Sequence, residues 1–405
     1  MNYFLLFLLF IACDVRSQQV EGVVLNGKDS SGLVGASVFI NNSSKGTITT
    51  ANGRFSITGL AENNFELVIS YVGFNTESIH INSVNLKSFY TIKLFPRVQP
   101  LDEVSVIATD KNGWEKWGGL FTDLFLGISD FALACTIENP EILRFYKIKK
   151  TSVVHAYSNA PLIIKNKALG YIIKYQLEDF VYNPNTGISG YAGYSTFEDM
   201  AVQNNSKSKK WHKNREEAYK GSILHFMRSL YSNKVSVNGF DVHEKIRVYA
   251  KDSAFNLIYK YPIPSLVRVG DKIYKIKSPN NDTHYFEIKD TLRLVDYIDL
   301  IDTAAFSFKK ASTMDLSKKQ RSFYFRDYLE VSYKNAFEKS DYLRYNLLPL
   351  NSKLPQSSDI YLSVEELLLI EEDGMYFNPV NPLVSGYFAW PKIAGTLPSD
   401  YVDEE

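Results

Sequence analysis

The stretch Gly46-Thr47-Ile48-Thr49-Thr50-Ala51-Asn52-Gly53-Arg54-Phe55-Ser56-Ile57 decides how the N-terminal part of the chain folds. Runs rich in Thr, Ile and Phe flank Asn52-Gly53, and Asn and Gly tolerate the positive φ that a tight reversal requires. Phe55, straight after the turn, has the bulk to plug an interior. Outward from here the rhythm repeats. Strand-like runs stand at Val20–Leu25, Ala36–Ile40, Gly46–Thr50, Arg54–Ile57, Phe65–Ser70, Asn75–Ile81 and Phe89–Leu94, with Asn26-Gly27 as a second turn pair. These seven short runs with Asn-Gly punctuation predict an all-β antiparallel sandwich over residues 19–95.

The motifs Val20-Glu21-Gly22-Val23-Val24, Gly35-Ala36-Ser37-Val38-Phe39-Ile40, Lys45-Gly46-Thr47, Asn52-Gly53-Arg54-Phe55 and Val68-Ile69-Ser70-Tyr71-Val72-Gly73-Phe74 together resemble the carboxypeptidase-regulatory-like domain, a prealbumin-like sandwich. Val34 departs from the pattern, which usually has Pro there, and this puts one turn geometry in question. The resemblance implies an accessory domain. In that family it follows the catalytic domain of some carboxypeptidases and precedes many outer-membrane nutrient receptors of the Gram-negative envelope. Leu101-Asp102-Glu103-Val104-Ser105-Val106-Ile107 resembles the stretch that follows the sandwich in those receptors, where it contributes to coupling with an energising partner. Here Pro96 and Pro100 block a continuing ladder, so residues 96–110 read as a linker or a strand leading into the next domain.

Phe4–Ala12 is an unbroken apolar run of nine residues. Spanning about 30 Å of hydrocarbon needs roughly 20 residues, so the run fits the core of a secretory signal instead. Residues 1–17 read as a signal peptide cleaved after Ser17. Phe10-Ile11-Ala12-Cys13 loosely resembles a lipobox, which leaves acylation at Cys13 as the alternative. The expected location is exported: periplasm, outer-membrane-associated or cell surface, with no transmembrane segment in the mature chain. Cys13 and Cys135 are the only cysteines, so the cleaved chain holds no intrachain disulfide. Cys135, in the apolar stretch Phe131–Cys135, reads as a buried structural thiol.

The chain has 405 residues, enough for two or three domains. Its 45% hydrophobic and 22% charged content is that of a folded protein. Forty-five Lys plus Arg balance forty-five Asp plus Glu, leaving no global field to attract nucleic acid. Residues 111–405 are predicted to form a larger α+β domain with an antiparallel sheet, of unknown function. Trp114, Trp117, Phe121, Leu124 and Phe125 have amphipathic-helix spacing, and Pro140–Phe145 reads as a short helical piece. The period then drops to two at Leu162–Ile164, Ala168–Leu177, Phe180–Tyr182 and Ile188–Tyr194, with Asn183–Gly187 as a hairpin turn. Tyr219, Ile223, Phe226 and Leu230 predict one continuous helix over Lys213–Ser232. Further strands are expected at Phe240–Val248, Lys272–Ile276, His284–Ile288, Leu292–Tyr297 and Phe323–Tyr333, while Leu362–Ile370 fits strand or helix.

Only fragments of catalytic motifs occur along the chain. His284-Tyr285-Phe286-Glu287 matches half of a carboxypeptidase zinc site, but His284 is the last of six histidines (80, 155, 212, 225, 243, 284), so no later ligand follows. On a strand, positions i and i+3 also point to opposite faces. No Gly-x-Ser-x-Gly elbow and no phosphate loop occur. Glu178-Asp179, Glu198-Asp199 and Asp296/Asp299 are the acidic pairs open to glycoside hydrolysis. His225 and Arg228 are spaced to share a helix face. Lys207, Lys209, Lys210, Lys213 and Arg215, with Trp211 and His212 among them, form a basic run that reads as a solvated entrance to a helix or a surface for phosphate or acidic glycan. No catalytic, cofactor-binding or metal residue is assigned, and no cofactor is expected. The reading is a non-catalytic envelope module that binds an envelope protein, peptide or glycan; the alternative is an envelope hydrolase, carboxypeptidase-like or glycan-directed, whose site the sequence hides.

Overall fold

The computed structural model describes residues 18–60, 64–82, 84–97, 107–109, 112–148, 151–202, 207–249, 265–269, 272–276, 297–302, 304, 306–325, 327–362, 367–377 and 383–403. The expected signal peptide with Cys13, the Leu101–Val106 stretch, the His284–Ile288 strand and residues 292–296 lie outside the described residues. The chain divides into two compact units, Met1–Phe39 with Lys45–Arg97 and Ile40–Ser44 with Val98–Glu405.

The first unit contains β1 (Gln18–Asn26), β2 (Ser37–Ile40), β3 (Gly46–Ile48), β4 (Arg54–Leu60), β5 (Phe65–Ser70), β6 (Glu77–Ile81) and β7 (Tyr90–Leu94). They form two sheets, β4-β1-β7 and β3-β2-β5-β6. Alternate residues turn inward: Phe55 and Ile57 from β4, and Tyr90, Ile92 and Leu94 from β7, are buried with Val20, Val38, Leu67 and Ile81. The sandwich is therefore present, with one correction. β1 and β7 run parallel, Gly22 opposite Tyr90 and Asn26 opposite Leu94. A parallel pair needs a crossover, and the chain supplies one by building the whole other sheet between them. At Asn52-Gly53 the Gly53 φ is +71°, and a Cβ there would stand 2.4 Å from the Val24 carbonyl oxygen. Asn26-Gly27, by contrast, opens a longer loop in which Asn26 Oδ1 accepts from the Lys28 N–H at 3.0 Å.

The second unit is mostly β with few helices. One seven-stranded sheet contains β8 (Ile107–Thr109), β9 (Cys135–Ile137), β10 (Leu143–Ile148), β11 (Val154–Ser158), β12 (Leu162–Asn166), β13 (Tyr171–Tyr182) and β14 (Ser189–Asp199). Every pair in it is antiparallel. The 12-residue β13 serves β12 and then β11 along its length and pairs throughout with β14. Helix α1 (Gly113–Phe125) lays Phe121 and Phe125 on this sheet, with the Phe121 ring 4.8 Å from Phe180 and 5.8 Å from Phe145. Each buried Phe contributes about 1.5–3 kcal/mol. Pro140–Ile142 makes one helical turn as expected, but Leu143 onward becomes β10, because Phe145 is needed in the sheet core.

The predicted helix over Lys213–Ser232 is two helices, α2 (Ser208–Tyr219) and α3 (Ile223–Tyr231). Gly221 takes φ +77°, and Ser222 caps α3 by accepting the His225 N–H at 3.1 Å. A helix-ending glycine and a capping serine overrode the continuous apolar stripe. The second seven-stranded sheet contains β15 (Phe240–Tyr249), β16 (Ser265–Val269), β17 (Lys272–Ile276), β18 (Tyr297–Asp302), β21 (Tyr328–Phe337), β22 (Pro355–Tyr361) and β25 (Leu383–Gly386). Phe226, Met227 and Leu230 of α3 pack in its core with Phe240, Val331 and Ile360. A four-stranded sheet joins β19 (Ser312–Asp315), β20 (Gln320–Phe323), β23 (Leu368–Glu371) and β24 (Tyr376–Phe377). Short helices α4 (Phe308–Ala311) and α5 (Ser340–Tyr345) connect these strands. The single strand expected over Phe323–Tyr333 is split, with Asp327 at φ +61° in the break.

Candidate functional site

A cavity of about 360 Å³ opens in the second unit. One wall is the turn between α2 and α3; the others are the end of β21, Gln356 of β22, the loop after α1 and the C-terminal segment carrying Tyr387, Trp390 and Lys392. That segment is held from two sides. Asn166, fully buried, donates from Nδ2 to the Ala394 carbonyl at 2.8 Å. Arg228 donates to the carbonyls of Asp373, Ser399 and Tyr401 at 2.8, 2.8 and 2.9 Å. Phe131, Tyr333, Tyr387 and Trp390 are among the lining residues, and the Tyr342 ring lies 5.3 Å from Trp390 and 5.1 Å from Tyr387.

Two buried polar atoms of this lining have no hydrogen-bond partner among the described residues, the Gln356 Oε1 and the Trp390 Nε1. Gln356 is only 7% exposed, and its other amide atom makes a long contact to the Phe337 carbonyl at 3.4 Å. Gly221 leaves the room this amide needs, since a Cβ there would meet Gln356 Oε1 at 2.6 Å. An unmade buried hydrogen bond costs about 1–3 kcal/mol. Lys392, at φ +48°, is a strained non-glycine position, and burial lowers its ammonium pKa. On the rim Glu217 accepts from Lys339, whose Nζ also sits 5.2 Å above the Phe131 ring.

The residues singled out from the sequence lie elsewhere or play other parts. His225 sits behind the cavity wall in an aromatic cage, 4.8 Å from Tyr219, 4.9 Å from Phe240 and 5.8 Å from Tyr333 by ring centroid. Its Nδ1 accepts the Gly221 N–H at 3.2 Å. Burial, helped by Arg228 and Lys220, pushes its pKa down to about 4, so the ring is a neutral buttress at neutral pH. His155 stacks on Tyr146 at 4.9 Å and meets Asp179 at 3.3 Å in the first sheet, apart from His225. The basic run divides by face. Its four lysines are exposed, whereas Arg215 is 4% exposed and Trp211 is buried. Arg215 donates to the Leu169 and Gly170 carbonyls and to both oxygens of Asp199, and its guanidinium lies 3.9 Å over the Tyr171 ring.

The acidic pairs are similarly committed. Glu198 accepts from Lys174, and Asp199 from Arg215. Burial alone would raise the Asp199 pKa, but the Arg215 and Ala201 hydrogen bonds bring it below the ordinary value. Asp299 accepts from Arg247 at 2.7 and 2.9 Å, within a buried ladder in which Lys245, 1% exposed, also bonds Asp359. His284, Glu287 and Asp296 lie outside the described residues. Among the described residues no cluster of three His, Cys, Asp or Glu side chains could hold a metal ion. Cys135 is half-buried, and burial pushes its thiol up to about 12. The sequence reading missed Gln356 and Trp390 as a pair. Its one available signal was the aromatic cluster in Gly386–Ala394, set beside an inward Gln on an otherwise polar strand.

With this geometry in view, comparison with known proteins places the N-terminal part. Residues 20–106 match the family model of the CarboxypepD_reg-like domain. The chain is 33% identical over 108 residues to a TonB-dependent receptor of Formosa agariphila, a match covering 26% of this chain and 10% of the receptor. It thus spans about a tenth of that relative's length. Solved structures give distant likenesses. A cohesin–X-dockerin complex from Acetivibrio cellulolyticus is 20% identical, covering 18% of this chain and 51% of that one at a TM-score of 0.16. A putative carbohydrate binding protein from Bacteroides uniformis is 11% identical, covering 46% and 81% at a TM-score of 0.17. At such scores these two carry no argument.

Proposed function

We propose that this is an exported cell-envelope protein whose second unit binds a short glycan without processing it. The observation that carries the reading is an aromatic-lined cleft whose lining residues Gln356 and Trp390 each hold a buried polar atom, an acceptor and a donor, with no hydrogen-bond partner among the described residues. A sugar presents hydroxyls that both accept and donate, beside C–H faces that pack on rings. Ligand sites combine an apolar lining with a few placed polar groups in this way. Support for the envelope comes from the CarboxypepD_reg-like domain, the receptor similarity and the apolar run Phe4–Ala12. The test is retention of the protein on a panel of immobilised oligosaccharides. Trp390→Ala and Gln356→Ala should each abolish retention, and a panel with no ligand would overturn the reading. N-terminal sequencing of envelope material should find Gln18, and an acylated Cys13 would replace ordinary cleavage by lipoprotein processing.

A further inference from the structure

From the last two residues of α5 up to β22 the chain runs Arg344-Tyr345-Asn346-Leu347-Leu348-Pro349-Leu350-Asn351-Ser352-Lys353-Leu354. Folding hides large apolar side chains where it can, yet here Leu347 is 92% exposed, and Tyr345, Leu350 and Leu354 are each more than half exposed. Phe337, at the end of β21, adds a fifth exposed apolar side chain. Scattered apolar residues on a surface need no explanation, but a run of them does. The loop is not loose. The Leu348 N–H donates to the Leu343 carbonyl at 2.8 Å, and the Ser352 N–H to the Pro349 carbonyl at 2.9 Å. Leu347 is held at φ +55°, a conformation costly for leucine.

Within the loop itself the charges have one sign. Arg344 and Lys353 are exposed, and no Asp or Glu occurs between Asp341 and Asp359. We propose that residues 344–354 are a membrane-contact loop: Leu347, Leu350 and Leu354 enter the interface of an anionic bilayer, Tyr345 sits at headgroup level, and Arg344 and Lys353 meet lipid phosphates. Apolar tips flanked by cations suit such a surface. A two-fold contact between copies of this chain would set the loop's cations against themselves. The loop also adjoins the glycan cleft, because the Tyr345 ring lies 5.3 Å from Trp390; the proposal does not depend on what that cleft binds.

The test is vesicle co-sedimentation of the chain from Gln18 onward, so that Phe4–Ala12 cannot itself bind lipid. Vesicles of phosphatidylcholine with one-third phosphatidylglycerol should pull the protein down, and pure phosphatidylcholine should do so much less. Leu347→Asp with Leu350→Asp should lower partitioning at least tenfold. Arg344→Gln with Lys353→Gln should weaken it several-fold and remove its salt dependence. Ile188→Asp, at a site 70% exposed in the turn between β13 and β14, should change nothing. Thermal melts confirm that the variants, all at exposed positions, remain folded. Absence of vesicle binding, or binding indifferent to the leucine pair, overturns the proposal. Concentration-dependent self-association abolished by Leu347→Asp, without vesicle binding, would assign the face to a second copy and overturn it equally.

Discussion

Replacing Arg215 with Met tests whether the basic run is part of the fold or part of a ligand surface. Methionine keeps much of the length and all of the apolar stem, and removes only the guanidinium. The Leu169 carbonyl then loses its donor, at about 1–3 kcal/mol, whereas the Gly170 carbonyl loses one of two and keeps the Met200 N–H at 2.9 Å. The pair with Asp199 adds less, because that carboxylate is partly in water; exposed pairs contribute about 1 kcal/mol or below. The stacking on Tyr171 is lost too. Arg215→Met should therefore cost about 2–4 kcal/mol, mostly from the unpaired Leu169 carbonyl and the lost ring contact. At about 2–4 °C per kcal/mol the melting point falls on the order of 10 °C. Asp199→Asn leaves both carbonyls satisfied and should cost about 1 kcal/mol. Urea and thermal melts of both variants give the comparison. The reasoning fails if Arg215→Met melts within about 0.5 kcal/mol of the parent while losing retention on an acidic polysaccharide.

In the sandwich, Gly53→Ala adds a clash with the Val24 carbonyl to a φ of +71°, whereas Gly35→Ala has φ +77° and open space around its Cβ; the first should cost about 2 kcal/mol more than the second in paired melts. His225 has its pKa lowered to about 4 in the fold, so between there and about 6.5 the unfolded chain binds the extra proton. Its stabilisation is complete above about pH 6.5 and declines as pH falls toward 4, by about 2 kcal/mol once partial solvent access is discounted; His225→Phe should flatten that part of the pH–stability curve. Cys135, its thiol pushed up to about 12, should react with a disulfide reagent at least about tenfold more slowly in the native protein than in urea.

How much was legible follows from where the chain's local signals agree with its packing. Asn52-Gly53-Arg54-Phe55 combined turn chemistry with alternation, and strand assignments on either side fell close to β1 through β7. The parallel β1–β7 pair was illegible, because no local residue encodes which neighbour a strand finds across a crossover. In the second unit the stripe Tyr219–Leu230 was real but misjoined. Lys220-Gly221-Ser222 carried the stop and start signals all along, and periodicity outweighed them. β22 was missed because Gln356 and Ser358 face inward where strand patterns expect apolar residues. That same inward Gln is half of the candidate site. Conspicuous acids and histidines drew the search for chemistry, yet cations, carbonyls and rings had already engaged them.

Glycan binding at the cleft of Gln356 and Trp390 is open to direct measurement. Isothermal titration calorimetry of the chain from Gln18 onward with soluble oligosaccharides, neutral and uronate-containing, addresses it directly. At least one of them should bind saturably and one-to-one, weakened tenfold or more (about 1.4 kcal/mol) by Gln356→Ala and by Trp390→Ala, with the sugar recovered intact afterwards. Binding that both substitutions leave unchanged, or a sugar recovered cleaved, would contradict the proposed function.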